Sequence, residues 1–456
     1  MRRDPECVIL RYPKIMISDS SRSDQTLAKM FNVQCSAFRI RWPQETPFVI
    51  AFLVILILPL LSHAADTSSS SGDLRDEWID PDTGHRVIRL SRVPGRSESF
   101  YFHQNAFSPD GDKFVFSNMS DGGRNRLFVL DWATRKTEPL TDAGAASAVV
   151  SQKRPIVYYQ RAGALYSTHI NTRETKKIAD LPRGWSAGTV NADDTLLAGT
   201  FVDGGQPINR SGPRSAWFEQ TFDAKRPQCL FTVDIATGKT NSFYRYEGWL
   251  GHIQFSPTDP RLLMFCHEGP WHKLDRIWQI HIDGTDLRLM HERTVTNEIA
   301  GHEFWSADGK TIWFDLQMPR SEKFFLAGAP VYPSANPKSS RTKTGPSPDN
   351  SEIRYPIERD QWSVHFNISR DGKLFAGDGG APNMVARATD GKWIYLFTPQ
   401  HNGTLRAERL FNMNKHDYSL EPNVNFSPDG KWIVFRGNFD GVPQVYAVEV
   451  ANSKLQ

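Results

Sequence analysis

Short apolar runs alternate with polar turns along most of the chain, and five stretches share one pattern. Each has an apolar run, a turn resembling Ser-x-Asp-Gly, and a strand in which apolar and polar residues alternate. Asp and Gly tolerate the backbone conformations of a tight reversal, so the pattern predicts two antiparallel strands joined by a hairpin. The five stretches are residues 106–117, 255–265, 305–316, 368–379 and 426–437.

Two weaker copies, at residues 149–159 and 190–201, bring the number of repeats to seven. After most of the turns a further strand and hairpin follow, as in residues 229–244. Each repeat therefore predicts about four antiparallel strands over ~40–65 residues, a length that suits a propeller blade rather than a helical solenoid. We predict an all-β, seven-bladed β-propeller. The early strand at residues 85–90 is expected to complete the last blade and leave no sheet edge exposed.

The composition agrees with a folded chain that is rich in strands and turns. Apolar residues make up 39% of the 456 residues, and 32 glycines and 29 prolines supply the many turns that the repeats require. The formal charge of +3 is too small, and too evenly spread, to indicate nucleic-acid binding. We therefore expect no nucleic-acid partner.

The N-terminal part of the sequence differs from the repeats. Residues 48–61 form an apolar run that is short for a membrane span, and small residues follow it. This predicts a signal peptide cut near Ala64 or Ala65 and an exported protein, periplasmic or secreted, which meets the membrane only through this segment. An uncleaved anchor is the alternative. The predicted organisation is an N-terminal extension with signal peptide over 1–65, a linker over 66–75, and the propeller over 76–456.

Two other features leave alternatives open. Residues 330–352, rich in Pro, Ser and Lys, predict a long surface loop between the fifth and sixth blades, which either overhangs a substrate or is a plain insertion. Cys229 and Cys266 remain once the leader is removed. In an exported protein they either form a disulfide or stay as buried free thiols.

Polar side chains recur at one position of the repeat, four residues ahead of the turn serine. Because this run is the innermost strand of a blade, equivalent positions converge on the central channel. Glu421 lies on the same strand face, two residues ahead of the last of them. A single polar residue there can simply hydrogen-bond a neighbour or channel water, but imidazoles with a carboxylate suit metal binding and proton transfer. The residues are Gln104, His252, His302, His365 and Asn423.

Four segments carry a closer resemblance. They are WLGH (249–252), FCHEGP (265–270), GHEFWSADG (301–309) and the GDG within LFAGDGG (374–380). In this order and spacing they resemble the oligogalacturonate lyases, propeller enzymes that degrade short pectin fragments. The resemblance implies β-elimination at C5 of a galacturonate, with His252 as the base and a manganese ion bound in part by His302. A non-catalytic exported propeller that binds protein partners or sugar is the alternative function.

The last blade departs from the pattern of that family. The family has a Gln-x-x-His-x-His segment ahead of the final turn, where this chain has Tyr418, Glu421 and Asn423. Glu421 and Asn423 offer oxygen donors, so the resemblance implies a divalent ion with a harder ligand sphere, which is Mn²⁺ or else Mg²⁺ or Ca²⁺. The loss of two imidazoles also permits a different uronate substrate, or no metal.

The remaining candidates are expected to contact an anionic uronate oligosaccharide. His267, Glu268 and Arg276 lie just beyond the second strand of the blade that carries His252. Arg276 suits a second carboxylate through its bidentate fork. His365 completes the predicted substrate contacts.

Overall fold

A computed structural model describes residues 75–119, 123–204, 211–331, 352–388 and 390–451. The predicted signal peptide and cleavage site lie outside these residues, as do the linker up to residue 74 and most of the predicted loop at 330–352. Within the described residues, no helix is both long enough and apolar enough to cross a membrane.

The strands form seven antiparallel sheets that follow one another along the chain, which confirms the predicted seven-bladed β-propeller. The first blade contains the strands Arg96–Glu98, Lys113–Met119, Arg126–Asp131 and Thr137–Pro139, and the second contains Ala146–Val150, Ile156–Arg161, Ala164–His169 and Thr175–Asp180. The third contains Ser186–Val190, Leu196–Val202, Pro227–Asp234 and Thr240–Glu247, and the fourth contains Trp249–Phe255, Leu262–Glu268, Ile277–His281 and Arg288–Leu289. The fifth contains Ile299–Trp305, Thr311–Gln317, Phe324–Pro330 and Ile353–Pro356, and the sixth contains Phe366–Ile368, Phe375–Gly377, Trp393–Pro399 and Leu405–Asn412.

The seventh blade closes the ring with strands from both ends of the propeller. Asn425–Phe426, Trp432–Gly437 and Gln444–Glu449 come from the C-terminal end. Arg86–Arg89 pairs with the last of these, and Glu77–Ile79 adds a fifth strand outside it. The predicted early strand therefore completes the last blade, and the closure pairs its free edge.

The turn of the repeat is built from its own side chains. In the last blade the Ser427 hydroxyl donates to Asp429 and accepts the backbone N–H of Trp432 at 3.0 Å. Gly430 follows with a φ of 70°, a left-handed conformation that glycine adopts without strain. Equivalent serine and aspartate contacts recur in the turns of the fifth and sixth blades. This explains why the Ser-x-Asp-Gly pattern marks the blades.

The face opposite these turns carries longer connections. The second strand of each blade runs away from the turn, so the segments that join second and third strands all lie on that face, which we call the loop face. A helix, Arg214–Asp223, occupies the connection of the third blade, and the 3₁₀ helices Trp271–Lys273 and Arg359–Gln361 lie ahead of the third strand of the fourth blade and the first strand of the sixth. The sequence pattern had predicted none of these helices.

Two expectations are corrected or settled by the structure. The segment 330–352 does not join the fifth and sixth blades. It connects the third and fourth strands of the fifth blade, because Ile353–Pro356 pairs with Phe324–Pro330. Cys229 and Cys266 are both buried and no disulfide joins them, which excludes the disulfide that the sequence left open.

Candidate functional site

Three of the predicted site residues share a left-handed backbone position on the inner strands. His252 and His302 have φ values of 49°, Asn423 has 55°, and a register shift accompanies each of the two histidines. Such a bulge re-aims the side chain of a strand residue. Ser147 occupies the same repeat position in the second blade with a φ of 50°. The bulge is therefore a feature of the repeat, and the fourth and fifth blades use it to direct an imidazole towards the channel.

His302 and His365 form one pair of imidazoles at the channel axis, with ring centroids 4.5 Å apart. The Nδ1 of His302 lies 2.8 Å from a carboxylate oxygen of Asp315, and the Nδ1 of His365 lies 2.7 Å from Asp378. Each aspartate stands thirteen residues after its histidine, on or just past the second strand of the same blade. A carboxylate on Nδ1 fixes the tautomer that leaves the Nε2 lone pair available, which is the usual arrangement behind metal-binding histidines.

Negative charge collects around this pair, and no described lysine or arginine balances it. A Glu421 oxygen lies 3.7 Å from the Nε2 of His365. Among the described residues, no lysine or arginine forms an ion pair with Glu421, Asp315 or Asp378. Burial raises the pKa of Asp378 to about 7. Burial, with the charge of His302 added, lowers the pKa of His365 well below its usual range.

These residues fit a divalent cation. The Nε2 of His365 and one oxygen of Asp315 are buried and have no hydrogen-bond partner among the described residues, and such buried atoms cost free energy unless something binds them. Two imidazoles and a carboxylate form a mixed donor set that suits Mn²⁺ as well as other divalent ions. We call His302, His365, Glu421 and the two aspartates the metal half of the site.

Asn423 and Tyr418 have structural contacts instead of free donor atoms. The amide oxygen of Asn423 accepts the backbone N–H of Phe102 at 3.1 Å, and its amide nitrogen donates to the backbone oxygen of Glu421. The Tyr418 hydroxyl donates to the backbone oxygen of Asp378. Asn423, which the sequence suggested as a metal ligand, therefore supports the channel wall, whereas His365, suggested as a substrate contact, turns its free nitrogen towards Glu421.

His252 belongs to a second cluster, which contains its own cation. Its Nδ1 lies 3.3 Å from a Glu303 oxygen and its Nε2 lies 3.8 Å from a Glu268 oxygen. The guanidinium of Arg276 bridges both carboxylates at 2.9 Å, and the ring of Trp271 covers it at 4.4 Å. The His252 side chain keeps 21% exposure, while both carboxylates and the guanidinium are buried. We call these four charged or titratable residues, His252, Glu268, Arg276 and Glu303, the base half.

The charge of Arg276 affects the pKa of Glu303. Burial works to raise the pKa of Glu303, but the charges of Arg276 and His252 outweigh it and lower that pKa below its usual range. Glu303 is therefore ionised and faces His252. Arg276, expected from the sequence to meet substrate, is enclosed by the two carboxylates, and Glu268 is enclosed with it.

One group within the base half has the spacing of a metal site but not its chemistry. Donor atoms of His252, Cys266 and Glu303 lie within 4.8 Å of one another. Burial and the charge of Glu303 raise the pKa of the Cys266 thiol well above its usual range, so the sulfur keeps its proton. Glu303 already has the Arg276 guanidinium as its counter-ion. A second cation would face that guanidinium, so the residues of the metal half fit a divalent ion better.

A segment from the first blade separates the two halves and forms the floor of the site. The Tyr101 ring lies 5.8 Å from the ring of His252 and 5.3 Å from that of His365, and Phe102 stacks on His365 at 4.8 Å. Beyond this segment lies a chamber of ≈ 220 Å³, whose wall combines apolar side chains with amides, hydroxyls, His103 and Arg370 and contains no carboxylate among the described residues. Gln104 lines that chamber, so it does not join the histidines of the site.

His267 has a packing role. Its ring stacks on Tyr246 at 3.7 Å, lies 4.8 Å from the ring of Trp278, and hydrogen-bonds the Tyr244 hydroxyl at 3.2 Å. Burial lowers its pKa to about 3, so the ring is neutral. These contacts favour a packing role for His267 over the substrate contact that the sequence predicted.

Several residues of the site were absent from the sequence-based set. Asp315 and Asp378 carried a usable signal, because each follows a channel histidine by thirteen residues in consecutive blades. Glu303 is next to His302 in the chain, yet its side chain serves the other half of the site. Tyr101 precedes the first turn by seven residues, outside the repeated pattern, and nothing in the sequence marks it.

Comparisons with known proteins point to one family. The family model described as oligogalacturonate lyase matches residues 75–346, more than half of the chain. The oligogalacturonate lyase of Dickeya dadantii is 28% identical over 405 residues, 83% of this chain and 97% of the relative. The oligogalacturonide lyase of Pectobacterium atrosepticum is 27% identical, over 82% of this chain and 96% of the relative.

Solved structures show the same likeness. One is an oligogalacturonate lyase in complex with manganese, 25% identical, with a TM-score of 0.67 over 84% of this chain and 97% of that chain. An oligogalacturonate lyase from Vibrio parahaemolyticus, 24% identical, shares the fold with a TM-score of 0.69 over 83% of this chain and 96% of its own. These similarities favour an enzyme over a non-catalytic propeller. The chain belongs to the oligogalacturonate lyase family.

Proposed function

We propose that this protein is an oligogalacturonate lyase that cleaves short oligogalacturonides by β-elimination. His252 is the base that removes the C5 proton, and a divalent ion, Mn²⁺, binds to His302, His365 and Glu421. The observation that carries the proposal is the pair of carboxylate-backed imidazoles in the channel, because the carboxylates around them have no described lysine or arginine as counter-ion and so favour a cation beside the base.

The proposed roles follow from the charges of the substrate. The C5 proton of a uronate is weakly acidic while its carboxylate is ionised, and a bound ion supplies positive charge that stabilises the electron density developing there. His252 takes the proton, and Glu303 stabilises the resulting imidazolium. The electron pair of the C5–H bond forms the C4=C5 double bond as the C4–O4 bond breaks. The departing oxygen takes a proton from solvent.

Arg276 has a supporting role in this proposal. Its guanidinium holds Glu303 and Glu268 in place at 2.9 Å each. Without it, the two carboxylates beside His252 would be buried with no guanidinium as their counter-ion. Its role is therefore to position these carboxylates around the base and to offset part of their charge.

The test is an elimination assay on the purified protein. Di- and trigalacturonate are incubated with the protein and Mn²⁺, and the ultraviolet absorbance of the unsaturated product is followed. We expect product with the wild type and almost none with His252→Gln, which keeps a polar side chain of similar reach. Binding of the oligomers without product, under every divalent ion tried, would contradict the lyase and support a binding propeller.

A further inference from the structure

Three arginines gather on the loop face beside the metal half. Arg320 lies in the turn that follows Thr311–Gln317, the strand that carries Asp315. Arg387 lies in the connection that begins at Asp378. Both connections thus lead directly away from an aspartate that backs a channel histidine. The third, Arg359, is the first residue of the 3₁₀ helix ahead of the sixth blade. We call Arg320, Arg359 and Arg387 the arginine patch.

Hydrogen bonds join the three segments that carry the patch. The Gln317 side chain donates to the backbone oxygen of Val385 at 3.1 Å, which links the turn of Arg320 to the connection of Arg387. Its amide oxygen accepts the backbone N–H of Ser321 at 2.8 Å. Arg359 donates to the backbone oxygen of Ser321 at 2.9 Å. These hydrogen bonds therefore hold the three segments of the arginine patch together.

No carboxylate of the described residues neutralises the patch. All three arginines are exposed, and none forms an ion pair with a described residue. The guanidinium of Arg359 lies over the ring of Trp362 at 3.9 Å. Partial burial lowers the pKa of Arg320, and the like charge of Arg387 lowers it further. Other arginines next to the loop face are paired, as Arg293 is with Asp275 and Arg409 with Asp390. Like charges held together without a counter-ion destabilise a fold slightly and attract anions.

We propose that the arginine patch binds a second carboxylate of the oligosaccharide, on a sugar other than the one that loses its proton. The inference rests on the proposed function, because it takes the substrate to be a uronate oligomer with one carboxylate on each sugar. The metal half faces one such carboxylate. The planar guanidinium fork matches another, and it matches an ionised carboxylate far better than a methyl ester.

The experiment compares Arg320→Gln, Arg387→Gln and the double variant with wild type. Arg370→Gln is the matched control, because Arg370 is an exposed, unpaired arginine in the Ser-Arg-Asp-Gly turn on the opposite face. The substrates are trigalacturonate and a trigalacturonate methyl-esterified on every sugar except the one that reacts. We expect the double variant to raise KM for the free acid by about tenfold with kcat unchanged. The ester should show little change, and the control variant none.

The outcomes separate this inference from the proposed function. If wild type cleaves trigalacturonate and the double variant keeps its KM, the patch does not bind the substrate and the inference is overturned. It is also overturned if KM rises equally for acid and ester, or equally in Arg370→Gln. If wild type shows no cleavage, binding of trigalacturonate is measured by calorimetry. Weaker binding in the double variant alone then supports the patch while the lyase fails.

Discussion

The two halves of the site use the same residue types and reach opposite electrostatic states. In the base half, one histidine faces two buried carboxylates, and Arg276 stands between these carboxylates at 2.9 Å from each. In the metal half, two histidines face three carboxylates, and no described arginine or lysine pairs with any of them. In the first half Arg276 offsets one of the two carboxylates, which leaves one net negative charge while His252 is neutral. The second is balanced only when a cation joins it.

This difference shows how one channel can hold a base and a metal site side by side. A buried carboxylate needs a partner charge, since moving an unpaired carboxylate out of water costs free energy. In the base half Arg276 supplies that charge. A metal ion there would instead occupy the lone pair with which His252 accepts the proton. In the metal half no described guanidinium pairs with the carboxylates, and the lone pairs of His302 and His365 stay available to an ion. In the function we propose, the placement of Arg276 therefore separates the histidine that acts as the base from the two that bind the ion.

The largest expected effect concerns His252. His252→Gln should lower kcat/KM by about 10³-fold, because a positioned general base typically contributes 10²–10⁴-fold. Binding of Mn²⁺, measured by titration with electron paramagnetic resonance, should stay unchanged, since the residue belongs to the base half. Loss of both properties together would mean that the two halves are not separate. Full activity would move the base elsewhere, with His365 as the next candidate.

Removal of the guanidinium should cost stability rather than metal binding. Arg276→Met leaves Glu268 and Glu303 buried without a counter-ion, and removal of one partner from a buried pair typically costs about 3–5 kcal/mol. Chemical denaturation measures the free energy of unfolding. The control is Arg261→Met, which breaks an exposed pair with Asp283 and should change that free energy by less than about 1 kcal/mol. Equal effects in the two variants would contradict the role given to Arg276.

The aspartates behind the metal half should matter less than the ligands themselves. Asp378→Asn should weaken Mn²⁺ binding by about 10–100-fold, the usual effect of losing a carboxylate behind a histidine ligand. His365→Ala should weaken it more. Asn423→Ala should weaken it least, because the Asn423 amide is engaged with backbone groups. Glu322→Gln, an exposed change on the loop face, is the control. Stronger loss in Asn423→Ala than in His365→Ala would restore the ligand set suggested by the sequence.

The blades were predictable because each repeat carries its own turn chemistry, as at Ser427 and Asp429. The inner position of His252 and His302 followed from the same repeat. The sequence could not reveal which segments bring their side chains into contact. Glu303 sits beside His302 in the chain but faces His252, since neighbours on a strand point to opposite sides. Tyr101 reaches the site from outside any repeat, and Arg276 looks like a substrate contact until two carboxylates are seen around it.

A third histidine with two carboxylates gives the smallest predicted effect. His291 lies 2.7 Å from both Glu298 and Glu352, away from the channel. Burial works to lower its pKa, but the hydrogen bonds to both glutamates outweigh it and raise the pKa to about 9. Here the imidazole is itself the cation that balances the carboxylates, unlike His252 or His365.

The pH dependence of stability should reveal this difference. Because the folded pKa of His291 is raised from 6.5 to about 9, its contribution is fully present below pH 6.5 and is lost as the pH rises through 9. Glu298 has a pKa lowered to about 2, so its contribution is present above 4.5 and is lost as the pH falls through 2. We expect wild type to lose on the order of 1 kcal/mol more than His291→Gln between pH 6.5 and pH 9.5, since partial exposure of Glu352 screens the pair. Denaturation curves of the two proteins at both pH values measure this. Parallel losses would show that His291 is neutral in the folded protein.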